Sequence, residues 1–267
     1  MNKILSIGGS DTSGGGGIEA DIRTFEKYNI FNLVAIENIV TMAPQTWAVT
    51  QYTVPNNPFA AQLQTAMAVD LAGMKVGMVS DIDNFNTLVD YLENMKPSVL
   101  LVDPVMATKL SIDNDCTVNL ETYKEKLLAK ADIITPNILE AAMLTGVTSI
   151  SNISEMKVAA EKLFSYGIKY IVIKSGNRFD DNIATDLLYD GVTFDIFQRK
   201  IVATDYNHGA GCTFSAAILA NIVKGLSIHE AVLDAKNFTF QAIENAVRVN
   251  QFVGHVWQGE NGHETTK

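Results

Sequence analysis

Asn207-His208-Gly209-Ala210-Gly211-Cys212-Thr213-Phe214-Ser215-Ala216-Ala217 is the stretch that organises the chain. Small residues lead into an apolar run, Phe214–Ala220, of a kind that suits a buried helix. Gly209 and Gly211 allow a turn with unusual dihedrals and let a ligand approach the backbone. Free N–H groups in the first turn of the following helix, together with the helix dipole, favour negative charge there. Cys212 stands on that turn, where such a field lowers the pKa of a thiol. From these residues alone two readings stay open. One is an anion hole with a proton acceptor inside it; the other is a tight loop closing on a core helix, with an inert cysteine.

Upstream, Lys3–Ile7 forms a short apolar strand that enters Gly8-Gly9-Ser10-Asp11-Thr12-Ser13-Gly14-Gly15-Gly16-Gly17, and a helix follows over Ile18–Tyr28. The glycine spacing does not fit a dinucleotide fingerprint, the loop is too long for one, and no Gly-Lys-Ser/Thr ending is present. The loop therefore lies beside a flat ligand or is a flexible surface loop. Strands are expected over Asn32–Val40, Gly73–Met78, Ser98–Val102, Ala131–Thr135 and Lys169–Ile173. Helices are expected over Pro58–Asp70, Asp81–Asn94, Asn119–Lys130 and Ser154–Tyr166. Asp103 sits at the carboxyl end of a strand, where ligands gather in open parallel sheets. The polar segment Met106–Asn119, with Lys109, reads as a flap. Asn137 and Glu140 have the spacing of a capping box, and an amide and carboxylate at a strand end can also hold Mg²⁺ through water; the two uses are compatible. Asp190-Gly191 marks a hairpin. Helical segments Cys212–Lys224 and Ile228–Val249 follow, and Gly254–Lys267 reads as a frayed polar tail.

This alternation predicts one α/β domain over residues 1–267, with a mostly parallel sheet, helices on both faces and a small late antiparallel hairpin. A content of 47% hydrophobic and 19% charged residues provides an ample core. The net charge of −10 argues against a nucleic-acid or anionic-membrane surface. Two cysteines, Cys116 and Cys212, are too few for a disulfide scaffold and fit a reducing compartment. The first apolar run is too short for a signal peptide, and none approaches the roughly 20 residues of a membrane span. A cytoplasmic location is expected.

Taken in order, Ile7-Gly8-Gly9-Ser10-Asp11, Ser13-Gly14-Gly15, Gly17-Ile18-Glu19-Ala20-Asp21, Asp103-Pro104-Val105-Met106, Ile134-Thr135-Pro136-Asn137 and His208-Gly209-Ala210-Gly211-Cys212-Thr213 resemble the vitamin-kinase branch of the ribokinase superfamily. That branch holds hydroxymethylpyrimidine (phosphate) kinases and the pyridoxal kinases that look like them. The resemblance implies a ribokinase-like fold and ATP- and Mg²⁺-dependent phosphorylation of a hydroxymethyl group on a nitrogen heteroaromatic ring. It implies an anion hole at Gly209, Ala210, Gly211 and Cys212, with Cys212 standing where most of the superfamily has an Asp base. It further implies phosphate contact from Lys109 when the flap closes, a metal neighbourhood at Asp103, Asn137 and Glu140, and a nucleotide site at Lys174, Ser175 and Gly176. Position 175 departs from the Gly often found there. Gly9, Asp21, Met42 and Val105 match positions around the substrate ring. Met42-Ala43-Pro44 is similar to the pyridoxal-kinase members, whereas the pyrimidine kinases carry Gln at that position. A B6 vitamer is thus the expected substrate, the aminopyrimidine alcohol the alternative, and a homodimer the expected assembly. A binding protein without turnover would bind the same ligands. A cysteine hydrolase built on Cys212 and His208 is weaker, because the sequence offers His208 no evident orienting carboxylate.

Overall fold

The structure, a computed structural model, describes residues 1–95, 97–105, 117–179 and 182–259. Its framework follows from period-two burial in the strands. In β1 (Lys3–Asp11), Ile4 packs into one apolar cluster and Leu5 and Ile7 into another. The same alternation recurs at Leu100, Leu101 and Val102, and again at Ile171, Val172 and Ile173. Each strand therefore buries both faces, as a parallel sheet between helical layers requires.

After β1 come α1 (Gly17–Lys27), β2 (Phe31–Met42), β3 (Val49–Thr53), α2 (Asn56–Met67), β4 (Gly73–Val76), α3 (Ile82–Asn94) and β5 (Leu100–Val102). Next are α4 (Leu120–Lys126), β6 (Ile133–Ile134), α5 (Ile138–Thr145), α6 (Ile153–Phe164), β7 (Tyr170–Lys174), β8 (Ile183–Tyr189) and β9 (Phe194–Lys200). The described chain closes with α7 (Ala210–Val223), α8 (Ile228–Glu244), β10 (Val247–Arg248) and β11 (Gly254–His255). Nine strands form one sheet in the order β3-β2-β1-β4-β5-β6-β7-β8-β9. Pairing is parallel from β2 through β7 and antiparallel at β3, β8 and β9. Side chains of α2 to α6 join the cluster on one face; those of α1, α7 and α8 join the cluster on the other. The β1–β2 register shifts between Gly8 and Gly9, where the apolar half of the strand meets its glycine-rich end.

The alternating elements lie where the sequence places them, and β8 and β9 are the late hairpin around Asp190-Gly191. Strand β3 is additional. Its burial alternates only between intermediate and exposed, so it has no apolar face to announce it. The frayed tail expected from Gly254 is corrected over residues 254–259. Gly254 and His255 form β11, and His255, Val256 and Gln258 are buried. The backbone there is anchored, Val256 N–H donating to the His208 carbonyl at 3.1 Å and Trp257 N–H to the Ala242 carbonyl at 2.8 Å. The helix expected to reach Val249 ends at Glu244. Lys109, Cys116 and the flap over 106–116 lie outside the described residues, as does the tail over 260–267. No helix among the described residues is long and apolar enough to cross a membrane.

Candidate active site

Parallel strands deliver their carboxyl ends to one edge of the sheet, and the functional residues collect there. A cavity of about 390 Å³ opens at that edge. Its lining includes Gly9, Asp21, Met42, Val105, Asp103, Asn137, Glu140, Lys174 and the whole Gly209–Cys212 turn. Residues picked from segments far apart in the chain thus share one enclosure. Ser175 and Gly176 do not line it. Ser175 is fully buried and its Oγ accepts from the Thr185 N–H at 3.1 Å, which makes it a strand-to-strand tie.

Gly209 is the N-cap of α7, in the left-handed region at φ 86°, and no side chain caps the helix. A Cβ at Gly209 would fall 1.8 Å from the Gly15 carbonyl oxygen, so only glycine fits. Behind it every residue from Thr213 through Asn221 is buried, most of them apolar, which fixes the direction of the helix. The uncapped first turn supplies N–H donors and the positive end of the dipole at the cavity wall.

Two buried ion pairs lie beneath the turn. Lys75 Nζ stands 2.5 Å from Asp21 Oδ1, with both side chains nearly sealed from solvent. Lys174 Nζ donates to Asp103 Oδ1 at 2.9 Å. Asp103 also accepts from Thr135 Oγ1 at 2.8 Å and, through Oδ2, from Ser215 Oγ at 2.9 Å. One carboxylate therefore joins β5, β6, β7 and α7. Burial acts to raise the Asp103 acid, but Lys174 and Lys75 outweigh it and hold the group below the usual carboxylate range. Asp21 goes the other way: burial pushes it up to about 6, with Asp103 adding repulsion and Lys75 opposing.

Cys212 corrects one expectation. The helix end was expected to lower its pKa, yet burial pushes the thiol up to about 11. Lys75 and the Gly17 N–H pull it down, while Asp21 and Asp103 work with burial. The loss of water around a small anion outweighs what Lys75 and the Gly17 N–H return.

Asn137 and Glu140 do form a capping box. Asn137 Oδ1 accepts from the N–H groups of Leu139 and Glu140 at 2.9 and 3.0 Å, and Glu140 Oε2 accepts from Asn137 N–H at 2.8 Å. Both nevertheless line the cavity, so the structural use and exposure to a ligand coexist.

Lys75 and Asp11 are among the cavity residues that sequence reasoning did not assign to the site. Lys75 sits in the buried strand Met74-Lys75-Val76, and a lysine between two apolar residues of a glycine-bounded strand is itself a sign of a buried charge. Asp11 bonds His208 Nε2 at 2.7 Å and so supplies the orienting carboxylate that the sequence did not reveal. Nothing local links two residues so far apart.

Residues 11–257 match the phosphomethylpyrimidine kinase family. The chain is 38% identical over 259 residues to a putative pyridoxine kinase of Staphylococcus aureus, covering 97% of this chain and 94% of that protein. It is 37% identical to a hydroxymethylpyrimidine/phosphomethylpyrimidine kinase of Bacillus subtilis, covering 95% and 92%. Its fold superposes with a TM-score of 0.91 on the pyridoxal kinase from Staphylococcus aureus in complex with AMP-PCP and pyridoxal, at 36% identity over 99% of this chain and 96% of that one.

Proposed function

Because the chain belongs to the phosphomethylpyrimidine kinase family, we propose that it is an ATP-dependent kinase that phosphorylates the 5′-hydroxymethyl group of pyridoxal and its vitamer relatives. One observation carries the reading. The uncapped glycine turn of α7 and a wall containing Met42 and Val105 line the same cavity, so an anion site and a place for a flat ring adjoin. Phosphoryl transfer depends on positioning and charge stabilisation more than on covalent chemistry, and the first turn of α7 and Lys174 provide both.

Cys212 is the proton acceptor in this reading. With burial holding its thiol at about 11, the thiolate is the minor form near neutral pH. Only that thiolate fraction can take the hydroxyl proton as the phosphoryl group is transferred. Mg²⁺ enters with ATP. Among the described residues no group of three or more His, Cys, Asp or Glu can hold a metal ion. Asp103, Asn137 and Glu140 suit an ion carried by phosphates and waters, the way Mg²⁺ is usually held, and the ion would neutralise charge on the phosphates.

Sequence identity does not separate the two substrates, since relatives of both kinds stand at similar identity. We take Met42 to separate them, since a thioether offers polarizable apolar contact and no amide to an aminopyrimidine edge. We further take the enzyme to be cytoplasmic and homodimeric. Exposed Phe31, Ile39 and Tyr52 on β2 and β3 supply apolar surface for a partner, and light scattering tests the assembly.

The deciding assay gives purified protein Mg-ATP with pyridoxal, pyridoxine or the aminopyrimidine alcohol. Pyridoxal should be turned over more efficiently; equal or better use of the pyrimidine overturns the substrate assignment. Cys212→Ala should lower turnover by about 10²- to 10⁴-fold with ATP affinity little changed. Full activity in that variant would remove Cys212 as the acceptor.

A further inference from the structure

The Gly-rich loop and the anion turn meet backbone to backbone, with the Gly15 carbonyl against Gly209. A single carboxylate holds the junction. Asp11 Oδ2 accepts from Gly16 N–H at 2.8 Å and is 2.7 Å from His208 Nε2, while Oδ1 accepts from the Ser13 N–H at 2.8 Å and the Ser13 hydroxyl at 2.6 Å. Burial works to raise the Asp11 acid, but the bonds from His208, Ser13 and Gly16 hold it well below the usual range. A carboxylate only accepts, so Nε2 of His208 carries the hydrogen. The His255 ring lies 5.0 Å from that of His208, and its Nε2 is 3.0 Å from the Ser13 carbonyl, closing the junction from the other side. His208 immediately precedes the helix cap Gly209, so its contact with Asp11 ties the Gly-rich loop to the residue that leads into the first turn of α7.

We propose that Asp11 and His208 are positioning residues for phosphoryl transfer: their shared contact at Asp11 Oδ2 fixes the spacing between the Gly-rich loop bordering the ring cavity and the helix end that receives the phosphoryl group. The inference rests on the kinase reading. Neither residue exchanges a proton with the substrate in this role. Their contribution is alignment, and a misplacement of about 1 Å at a reacting centre costs on the order of 10²-fold in rate.

Three variants test it in the full chain: His208→Phe, which keeps a ring but no donor; His208→Gln, which restores a neutral N–H at similar reach; and Asp11→Asn. Steady-state kinetics with pyridoxal and ATP, kcat against pH, and thermal midpoints are measured for each and for the wild type. His208→Phe and Asp11→Asn should lower kcat about 10- to 100-fold with both KM values within about threefold. His208→Gln should recover most of kcat and keep the wild-type shape of the pH profile. The inference is overturned if His208→Phe matches wild type, or if His208→Gln is as impaired as His208→Phe. It is also overturned if kcat, KM and the midpoint deteriorate together in every variant. If His208→Phe does not fold, the inference stands when Asp11→Asn loses kcat with both KM values held while His208→Gln keeps most of it, and is overturned otherwise. A wild-type protein without turnover would overturn the kinase reading and this inference together, whereas the variant outcomes overturn this inference alone.

Discussion

Lys75 and Asp21 form a salt bridge of 2.5 Å with side chains only 2% and 4% exposed, directly beneath the turn that carries Cys212. Lys75 is the cation that Asp21, Asp103 and Cys212 all feel. Removing one partner of such a pair strands the other. Lys75→Met should therefore lower the unfolding free energy by about 3–5 kcal/mol, and Lys75→Met with Asp21→Leu should restore most of it. Urea unfolding of the two variants checks this; a single variant as stable as wild type would show that the pair contributes little.

The thiol of Cys212 sets a pH dependence whose sign is fixed. A proton acceptor works only when deprotonated, and burial puts this one at about 11. With Cys212 as acceptor, log kcat should climb with a slope near one from neutral pH toward about 10. A profile that rises only to about 6 and is flat above would instead point away from Cys212 and toward Asp21, whose carboxyl burial pushes up to about 6. Alkylation of Cys212 in a Cys116→Ser background, followed by mass spectrometry, offers an independent measure of the same midpoint.

Met42 can be exchanged for the amide it lacks. Met42→Gln should raise the ratio of kcat/KM for the aminopyrimidine alcohol over that for pyridoxal by about tenfold or more, since a site that hydrogen-bonds a substrate edge discriminates against one that does not. Competition between the two alcohols in one reaction measures the ratio directly, and an unchanged ratio would remove Met42 from substrate choice.

Gly209→Ala places a methyl group where the Gly15 carbonyl already stands, in a backbone conformation at φ 86° that alanine resists. Unfolding should be easier by at least about 1–3 kcal/mol from the backbone alone, and turnover should fall much further as the turn is displaced. Gly225→Ala is a useful control: φ is also positive, 96°, but a Cβ there meets nothing within 4 Å. It should be destabilised similarly by the backbone and retain its turnover.

The fold was legible because β1, β5 and β7 bury apolar residues on both faces and so read as apolar runs, and because α1, α3 and α6 repeat apolar residues at helical spacing. The glycine turn into a buried helix at Gly209–Cys212 was legible locally, but its reading as an anion hole rested on the resemblance. Strand β3 was not legible, because an edge strand without a buried face carries no pattern. The tail from Gly254 looked polar, yet its order comes from hydrogen bonds to His208 and Ala242, contacts that composition does not encode. The Asp11–His208 contact and the direction of the Cys212 shift were hidden for the same reason. Each depends on which distant groups share a low-dielectric pocket, and that is settled only when the sheet has formed.

The register shift at Gly8 and Gly9 divides β1 into two mechanical segments. Residues up to Ile7 are gripped by both apolar clusters, so a change there is felt as a loss of folding free energy. Gly9 to Asp11 pair with β2 in a different register and hold the loop that meets Gly209, so a change there is felt as misalignment in a molecule that still folds. Within a single strand the chain can thus adjust the aim of its reacting end without reopening its core.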